Sequence, residues 1–451
     1  MATITVTSRG LGGGIVASAG VLALISALVM NPVVGKLTKG PLVVDYADVL
    51  VGYFWWATAI GIGLIMLGRR IARGKSRADG IAVLALMLGA IVLFDRFLLA
   101  RKGLPLWRYD PEVRYVHRPG AVRTLAGAGR PTELVRINSW GHHDTEFPEE
   151  KPPGELRVLM LGDSVTMGFA VTYAETYSKH LEDLLDASDR KHATHQVINS
   201  GVHGYSTFQE KRMFERSLRF APDIVFIGFC MNDVTEPFIV DTEYGGTGLD
   251  YHGVSQTPNP FVGWLSNETG LGRFMQGLAL RGKSREAEAR LEIYNVLGMA
   301  QTSRTDPRMQ EAWRILLTQL GEVYALGREQ GIPVVLVIFP YTFQLLESSG
   351  REPHEILRAH AAEHGIDVID TTDALARAIV DDPQLVEYLR SKGRSREEVF
   401  AYHEHRMRKY FFDHDHFTTE GHAVVAGEIH EYLVEHQWVD APGADVRHPT
   451  H

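Results

Sequence analysis

At 451 residues the chain exceeds one typical domain, so at least two folding units are expected. With 45% hydrophobic and 22% charged residues its composition is that of a globular protein, which excludes a disordered, collagen-like or disulfide-scaffold chain. A net charge of -9 argues against a nucleic-acid partner held by phosphate contacts, and the single cysteine, Cys230, cannot form an internal disulfide.

The apolar excess is concentrated before residue 103, where three runs read as membrane spans. Leu11 to Val34 and Val49 to Gly68 hold no charged residue, and Tyr53, Trp55 and Trp56 sit near one end of the second, where amphipathic rings favour the interface. Gly80 to Ala100 reaches bilayer length only by crossing Asp95 and Arg96. A cleaved signal peptide is the rival reading of the first run, but only Arg9 precedes it and no small-x-small site follows. Arg69, Arg70, Arg73, Lys75 and Arg77 crowd the second connection and mark it cytoplasmic. Lys36, Lys39, Arg101 and Lys102 work against that orientation. The expectation is a multi-pass anchor over residues 1–102, with spans at about 11–34, 49–68 and 80–100, and the rest of the chain outside the membrane.

Residues 103–155, rich in Pro, Gly and Arg, read as a small strand-and-loop preface that includes the apolar stretch Leu134 to Ile137. Strands and helices then alternate. Arg157 to Leu161, Gln196 to Ile198, Ile224 to Phe229, Pro333 to Phe339 and Ile366 to Ile369 read as strands. Helices are expected over Ala174 to Leu185 and from Phe208, and again after the Asp306-Pro307 cap, with Trp313, Leu316, Leu320 and Val323 as a buried stripe. A last helix follows the Thr418 cap, its apolar face Val425, Ile429 and Leu433. This alternation predicts an α/β fold, a parallel sheet covered on both faces, with reactive groups at the carboxyl ends of the strands. The domain is expected over 156–440 with a tail at 441–451. Insertions at about 235–305 and 376–408 would either shape a cleft or membrane-facing surface or be decorative surface helices.

Four segments follow those strands. Gly162-Asp163-Ser164-Val165-Thr166-Met167-Gly168 presents a serine at a strand end, with Thr166 where an ordinary nucleophile elbow has its second glycine. Asn199 to Thr207 contains Gly204, whose N–H can face a cleft with no side chain in the way. Gly228-Phe229-Cys230-Met231-Asn232-Asp233 offers the Asn232 amide as a donor. In Asp413-His414-Asp415-His416, His416 can act as a base oriented by Asp413 three residues earlier, whereas Asp415, adjacent in an extended loop, is expected to point elsewhere.

These segments, in this order, resemble the blocks of the SGNH hydrolases, the GDSL-type esterases: G-D-S, a glycine block, G-x-N-D and D-x-x-H, over roughly Leu156 to His436. The resemblance implies a flavodoxin-like, three-layer α/β/α domain with a parallel five-stranded sheet. It further implies Ser164 as nucleophile, His416 as base and acid, and Asp413 as its partner. The oxyanion hole would be the Ser164 and Gly204 N–H groups and the Asn232 side chain, with no metal and no organic cofactor. Family substrates are acyl esters, commonly acetyl esters, of carbohydrates or lipids. The third block has a longer spacer than G-x-N-D, so the match rests on Asn232-Asp233. Ile137 to His143 resembles a preface of membrane-linked bacterial members, in which arginine often replaces one histidine, so His143 inherits no role. Together with the three spans and the basic second connection, the resemblance implies a bacterial cytoplasmic membrane, with the catalytic domain expected on the periplasmic or extracellular side.

A hydrolase and an O-acyltransferase use the same residues, and sequence does not separate them; a transferase would call for a membrane acyltransferase partner. A non-catalytic, membrane-anchored binding protein is the third alternative, opposed by the complete Ser, His, Asp, Gly and Asn set. A metal site built from His414, His416 and His422, with His403 and His405 upstream, would leave Ser164, Gly204 and Asn232 without a task.

Overall fold

The computed structural model describes residues 8–29, 47–73, 88–89, 91–96, 99, 106–125, 133–239, 254–257, 259–273, 275, 306–345, 350–380 and 404–440. Residues 30–34 of the first expected span, much of the third, residues 240–253, 258, 274 and 276–305 of the first insertion, 381–403 of the second, His403 included, and the tail lie outside these residues. The chain forms two compact units: Met1–Leu104 with Pro258–Ala279, and Pro105–Thr257 with Leu280–His451. It therefore passes between units three times, at residues 104–105, 257–258 and 279–280.

In the first unit, α1 (Ser8–Val29) and α2 (Ala47–Ala72) pack antiparallel through glycines. A Cβ at Gly13 would lie 2.5 Å from the Gly68 carbonyl oxygen, and one at Gly20 2.6 Å from that of Gly61. Only hydrogen side chains let the two backbones approach so closely. Ile15, Leu22, Ile62 and Met66 meanwhile stay exposed. Side chains are described for residues 13–24 of α1 and 57–72 of α2, and among the described residues no helix is long and apolar enough to cross a membrane.

The second unit opens with two antiparallel pairs, β1 (Trp107–Asp110) with β2 (Arg114–His117) and β3 (Val122–Leu125) with β4 (Glu133–Arg136). Five parallel strands follow: β5 (Glu155–Leu161), β6 (Thr194–Asn199), β7 (Ile224–Phe229), β8 (Val334–Ile338) and β9 (Asp367–Asp370). Their order in the sheet is β6-β5-β7-β8-β9, the flavodoxin-like order. Every residue of β5, β7 and β8 is buried, as expected of continuous apolar runs covered on both faces.

The connecting helices are α3 (Ser164–Met167) and α4 (Tyr177–Ser188) after β5, α5 (Thr207–Ser217) after β6, α6 (Asn232–Ile239) and α7 (Pro307–Gln330) after β7, and α8 (Glu352–Glu363) after β8. The chain ends in α9 (Thr372–Val380), α10 (Glu404–Tyr410) and α11 (Thr419–Glu435). The β5-to-β6 crossover runs opposite to all later ones, so right-handed connection puts α4 on one face and α5, α7 and α8 on the other. The final helix α11 packs beside α4. Capping follows the sequence: Asp306 accepts from the Arg308 N–H with Pro307 at the first turn, and the Thr418 side chain accepts from Gly421.

One buried cation fastens the preface to the sheet. Arg157, on β5 and fully buried, donates to Glu155 Oε1 at 2.7 Å and to the carbonyls of Glu149 at 3.0 Å, Phe220 at 2.8 Å and Pro148 at 3.2 Å. Its guanidinium satisfies two carbonyls of the stretch before β5 and one of the turn before β7. Replacing Arg157 by Ala would strand the Glu155 carboxylate in the interior, with an expected loss of about 3–5 kcal/mol. Urea denaturation of the Arg157→Ala protein measures this, and Arg157→Met with Glu155→Gln is expected to recover a large part of the loss.

Candidate active site

The serine turn is built by what surrounds it. At Gly162, where β5 ends, φ is +155° and a Cβ would collide with Thr166 Oγ1, so only glycine fits. Asp163 then caps the single-turn helix α3, its carboxylate accepting from the Val165 N–H at 2.9 Å. Ser164 is the first residue of that helix, and its N–H belongs to the group that a helix start leaves without an intrahelical acceptor. Thr166 fills the space between Gly162 and Gly228 and accepts from the Tyr177 hydroxyl at 3.0 Å. Its hydroxyl is thus structural, which explains a threonine where an elbow would carry glycine.

The glycine block lies against this turn. Any side chain at Gly201 would strike the Thr166–Met167 backbone, and the Val202 N–H donates to the Gly162 carbonyl at 3.1 Å. Gly204 has φ +74°, and its carbonyl accepts from the Tyr115 hydroxyl at 2.6 Å, which ties the turn to β2. The third block joins through Asp163: Asn232 Nδ2 donates to Asp163 Oδ2 at 2.8 Å. Burial pushes the Asp163 carboxyl up, opposed by the Asn232 and Val165 donors.

His416 reaches Ser164 from the far end of the sequence. Its Nε2 lies 2.9 Å from Ser164 Oγ, and its Nδ1 lies 3.0 and 2.9 Å from the two oxygens of Asp413. Carboxylates only accept, so the Nδ1 proton points at Asp413 and Nε2 is left to accept from the serine hydroxyl. Asp415 does not point elsewhere, as an extended loop would require: it is buried, with Oδ1 3.2 Å from His416 Nδ1. The loop is folded, not extended. The Asp415 and His416 N–H groups both donate to Asp413 Oδ1, and the Phe412 N–H donates to the His416 carbonyl, so neighbouring side chains converge. Burial lowers the proton affinity of His416, but Asp415 and Asp413 together carry it well above the ordinary histidine value. Asp413 is held well below its own ordinary value, burial being outweighed by its bonds to His416.

Ser164, His416 and Asp413 thus stand in one hydrogen-bonded line and Asn232 joins through Asp163, while Gly204 follows the Gly201-Val202 stretch that lies against the serine turn and is itself held by Tyr115. Other neighbours had no assigned part in the sequence. The Phe169 ring sits 4.6 Å from that of His416 and stacks on His203 at 5.1 Å. His143 is fully buried and its Nδ1 donates to the Met167 carbonyl at 2.7 Å, supporting the serine turn from below. Asp144 accepts from the Asn199 N–H at 3.1 Å, linking the preface to the end of β6. The Ile137 to His143 motif drew attention to His143 without giving it a role, and Asp144 just beyond it carried no sequence signal; the fold shows what both hold.

Ligand atoms of Asp413, His414 and Asp415 lie within 4.8 Å of one another, as do those of Asp189, His192 and His195. In the first set both carboxylates face His416. In the second, Asp189 Oδ2 accepts from His192 at 2.7 Å and His195 at 2.9 Å at the opposite end of β6. His422 accepts the Tyr177 N–H at 3.2 Å, and burial drops its value to about 3. Cys230 is buried, and burial pushes its thiol well up.

A family model described as GDSL-like lipase/acylhydrolase matches residues 160–424. No curated protein matches the chain. Among solved structures it is similar to a catalytic mutant of an acetylxylan esterase from Geobacillus stearothermophilus, at 15% identity over 63% of this chain and 97% of that one, with a TM-score of 0.33. It is also similar to the acetyl xylan esterase AlAXEase (14%, 62% and 100%, TM-score 0.32) and to the psychrotrophic esterase EstA from Pseudoalteromonas sp. (11%, 62% and 97%, TM-score 0.31). Likeness at this level identifies neither acyl group nor acceptor.

Asp144 gives the site a measurable pH signature. Burial raises its carboxyl from 3.8 to about 7, so between those values the folded state keeps a proton that the unfolded chain has lost. Stability from this group is complete below 3.8 and is lost as pH rises to about 7. Thermal unfolding midpoints recorded across that window should show the decline in the native protein and a flatter profile in Asp144→Asn.

Proposed function

Because the chain belongs to the GDSL-like lipase/acylhydrolase family and is an ester-hydrolysing enzyme, we propose that it is a membrane-anchored serine esterase acting through an acyl-serine intermediate. The observation that carries the reading is the unbroken line from Asp413 through His416 to Ser164 Oγ. His416 Nε2 takes the serine proton as Oγ attacks the ester carbonyl carbon, and the carbonyl electron pair moves onto oxygen. The Ser164 and Gly204 N–H groups and the Asn232 amide face that oxyanion. The amide nitrogen carries two donors, and the bond to Asp163 fixes the plane in which the other points. Collapse of the tetrahedral adduct breaks the ester C–O bond, with His416 returning its proton to the leaving alcohol. Water then repeats the sequence on the acyl-serine. Asp413 and Asp415 stabilise the imidazolium that forms twice per turnover.

The Phe169 ring beside His416 restricts the space next to the acyl carbon, which favours a short acyl group such as acetyl. The alcohol portion is an envelope carbohydrate or lipid. The anchor reading is supported by α1 and α2, which put glycines between them and leave apolar side chains outward, the arrangement suited to lipid. The basic stretch from Arg69 to Arg77 sets the connection that contains it on the cytoplasmic side and the hydrolase unit outside.

The full chain in detergent should hydrolyse an activated acetyl ester, and folded Ser164→Ala should lose this completely; turnover surviving in Ser164→Ala overturns the assignment. Only neutral His416 can accept the serine proton, so the acid limb of kcat/KM should lie above the ordinary histidine value of 6.5. Asp413→Asn is expected to move that limb to lower pH and to cut the plateau by about 10²–10⁴. Alkaline carbonate washing of membranes should leave the native protein in the pellet, and its release would overturn the anchor.

A further inference from the structure

The segment inserted between β7 and β8 contains a helix turned inside out. Pro260–Glu268 is well specified as a helix: Pro260 opens it, and the Asn259 side chain accepts from the Phe261 and Val262 N–H groups at 3.1 Å. Yet its apolar residues face outward, Phe261 being 68% and Trp264 55% exposed, with Val262 and Leu265 beside them. On a helical wheel these four fall on one arc, and Asn267, just beyond its Trp264 edge, is buried. A helix folding in water buries the other side.

The segment belongs to the helical unit, although residues 105–257 separate it from the rest of that unit in sequence. The Leu271 N–H donates to Asp95 Oδ1 at 2.9 Å, and Gly272 passes so close to the Leu265 carbonyl that no side chain would fit. Asp95 is the acidic residue that interrupts the third apolar run. Of the large apolar side chains exposed among the described residues, only Tyr109, Val122 and Leu134 belong to the hydrolase unit; all others lie in the helical unit.

We propose that the Pro260–Glu268 helix forms a second membrane contact, lying in the bilayer interface with its Phe261, Val262, Trp264 and Leu265 face set into the lipid. The proposal rests on the anchor reading above. Nine residues extend about 14 Å, far short of a hydrocarbon core of about 30 Å, so the helix lies on the membrane and does not cross it. Paired aromatic rings, Phe261 and Trp264 at 6.2 Å, suit the headgroup level. The Asn259 cap satisfies N–H groups that would otherwise be stripped of water there.

A single labelled cysteine tests this in the full chain, since the native Cys230 is buried. Trp264→Cys carrying an environment-sensitive fluorophore is reconstituted in phosphatidylethanolamine/phosphatidylglycerol vesicles, with Phe261→Cys as a second probe of the same face and Glu329→Cys, exposed on the hydrolase unit, as the comparison. Headgroup-level nitroxide lipids should remove about half or more of the emission at 264 and 261 and little at 329, with aqueous iodide giving the reverse. Iodide quenching at 264 equal to that at 329, in protein that stays with the vesicles through an alkaline wash, overturns the inference and leaves the anchor standing. Loss of the protein in that wash overturns both. Protection from both quenchers, with energy transfer between differently labelled copies, would assign the face to a second copy of the chain and overturn the lipid contact.

Discussion

The Asp163 carboxylate is the constraint on which the site depends. One of its oxygens accepts from Val165 and so starts the helix that carries Ser164; the other accepts from Asn232 and so sets the amide at the head of α6. Two segments 69 residues apart are registered by one buried group. Burial opposes its ionisation, and these donors, with the nearby His416, offset part of that cost. Each oxygen takes one donor, so an amide in its place would turn one of the two acceptors into a competing donor.

The same logic of converging carboxylates recurs at His416. Asp413 supplies a bidentate partner and also accepts two backbone N–H groups of its own loop, so the residue that orients the imidazole is itself oriented by the fold that it creates. Asp415 adds a second negative group on the same nitrogen. A histidine so placed is biased towards its charged form, which favours every state in which it has taken the serine proton.

The strands, the capped helices and the four segments at the strand ends were legible because each rests on local chemistry: continuous apolar runs, Asp306-Pro307, Thr418, and short motifs at fixed offsets. What escaped was set by tertiary convergence. The inward turn of Asp415 depends on a loop closure that spacing alone does not show. The support from His143 and Asp144 depends on the preface folding under the sheet ends, and the buried Arg157 looked like an ordinary charged residue at the start of a strand. The Pro260–Glu268 helix was hidden in a long insertion, since its apolar residues have the spacing of any buried helix and only their exposure distinguishes them.

The three passages of the chain between units have a topological consequence. Neighbouring strands β7 and β8 are joined through a segment that completes the other unit, so neither unit is a contiguous piece of the polypeptide. During synthesis the helical unit cannot close until residue 279 has emerged, and the central pairing of the sheet waits for the strand that follows it. No single cut in the chain yields the hydrolase unit alone. A fragment beginning at residue 105 would still carry 258–279 without the helices it folds against, presenting Phe261 and Trp264 to water as an adhesive patch. The two units are interleaved along the chain and are not modules in series.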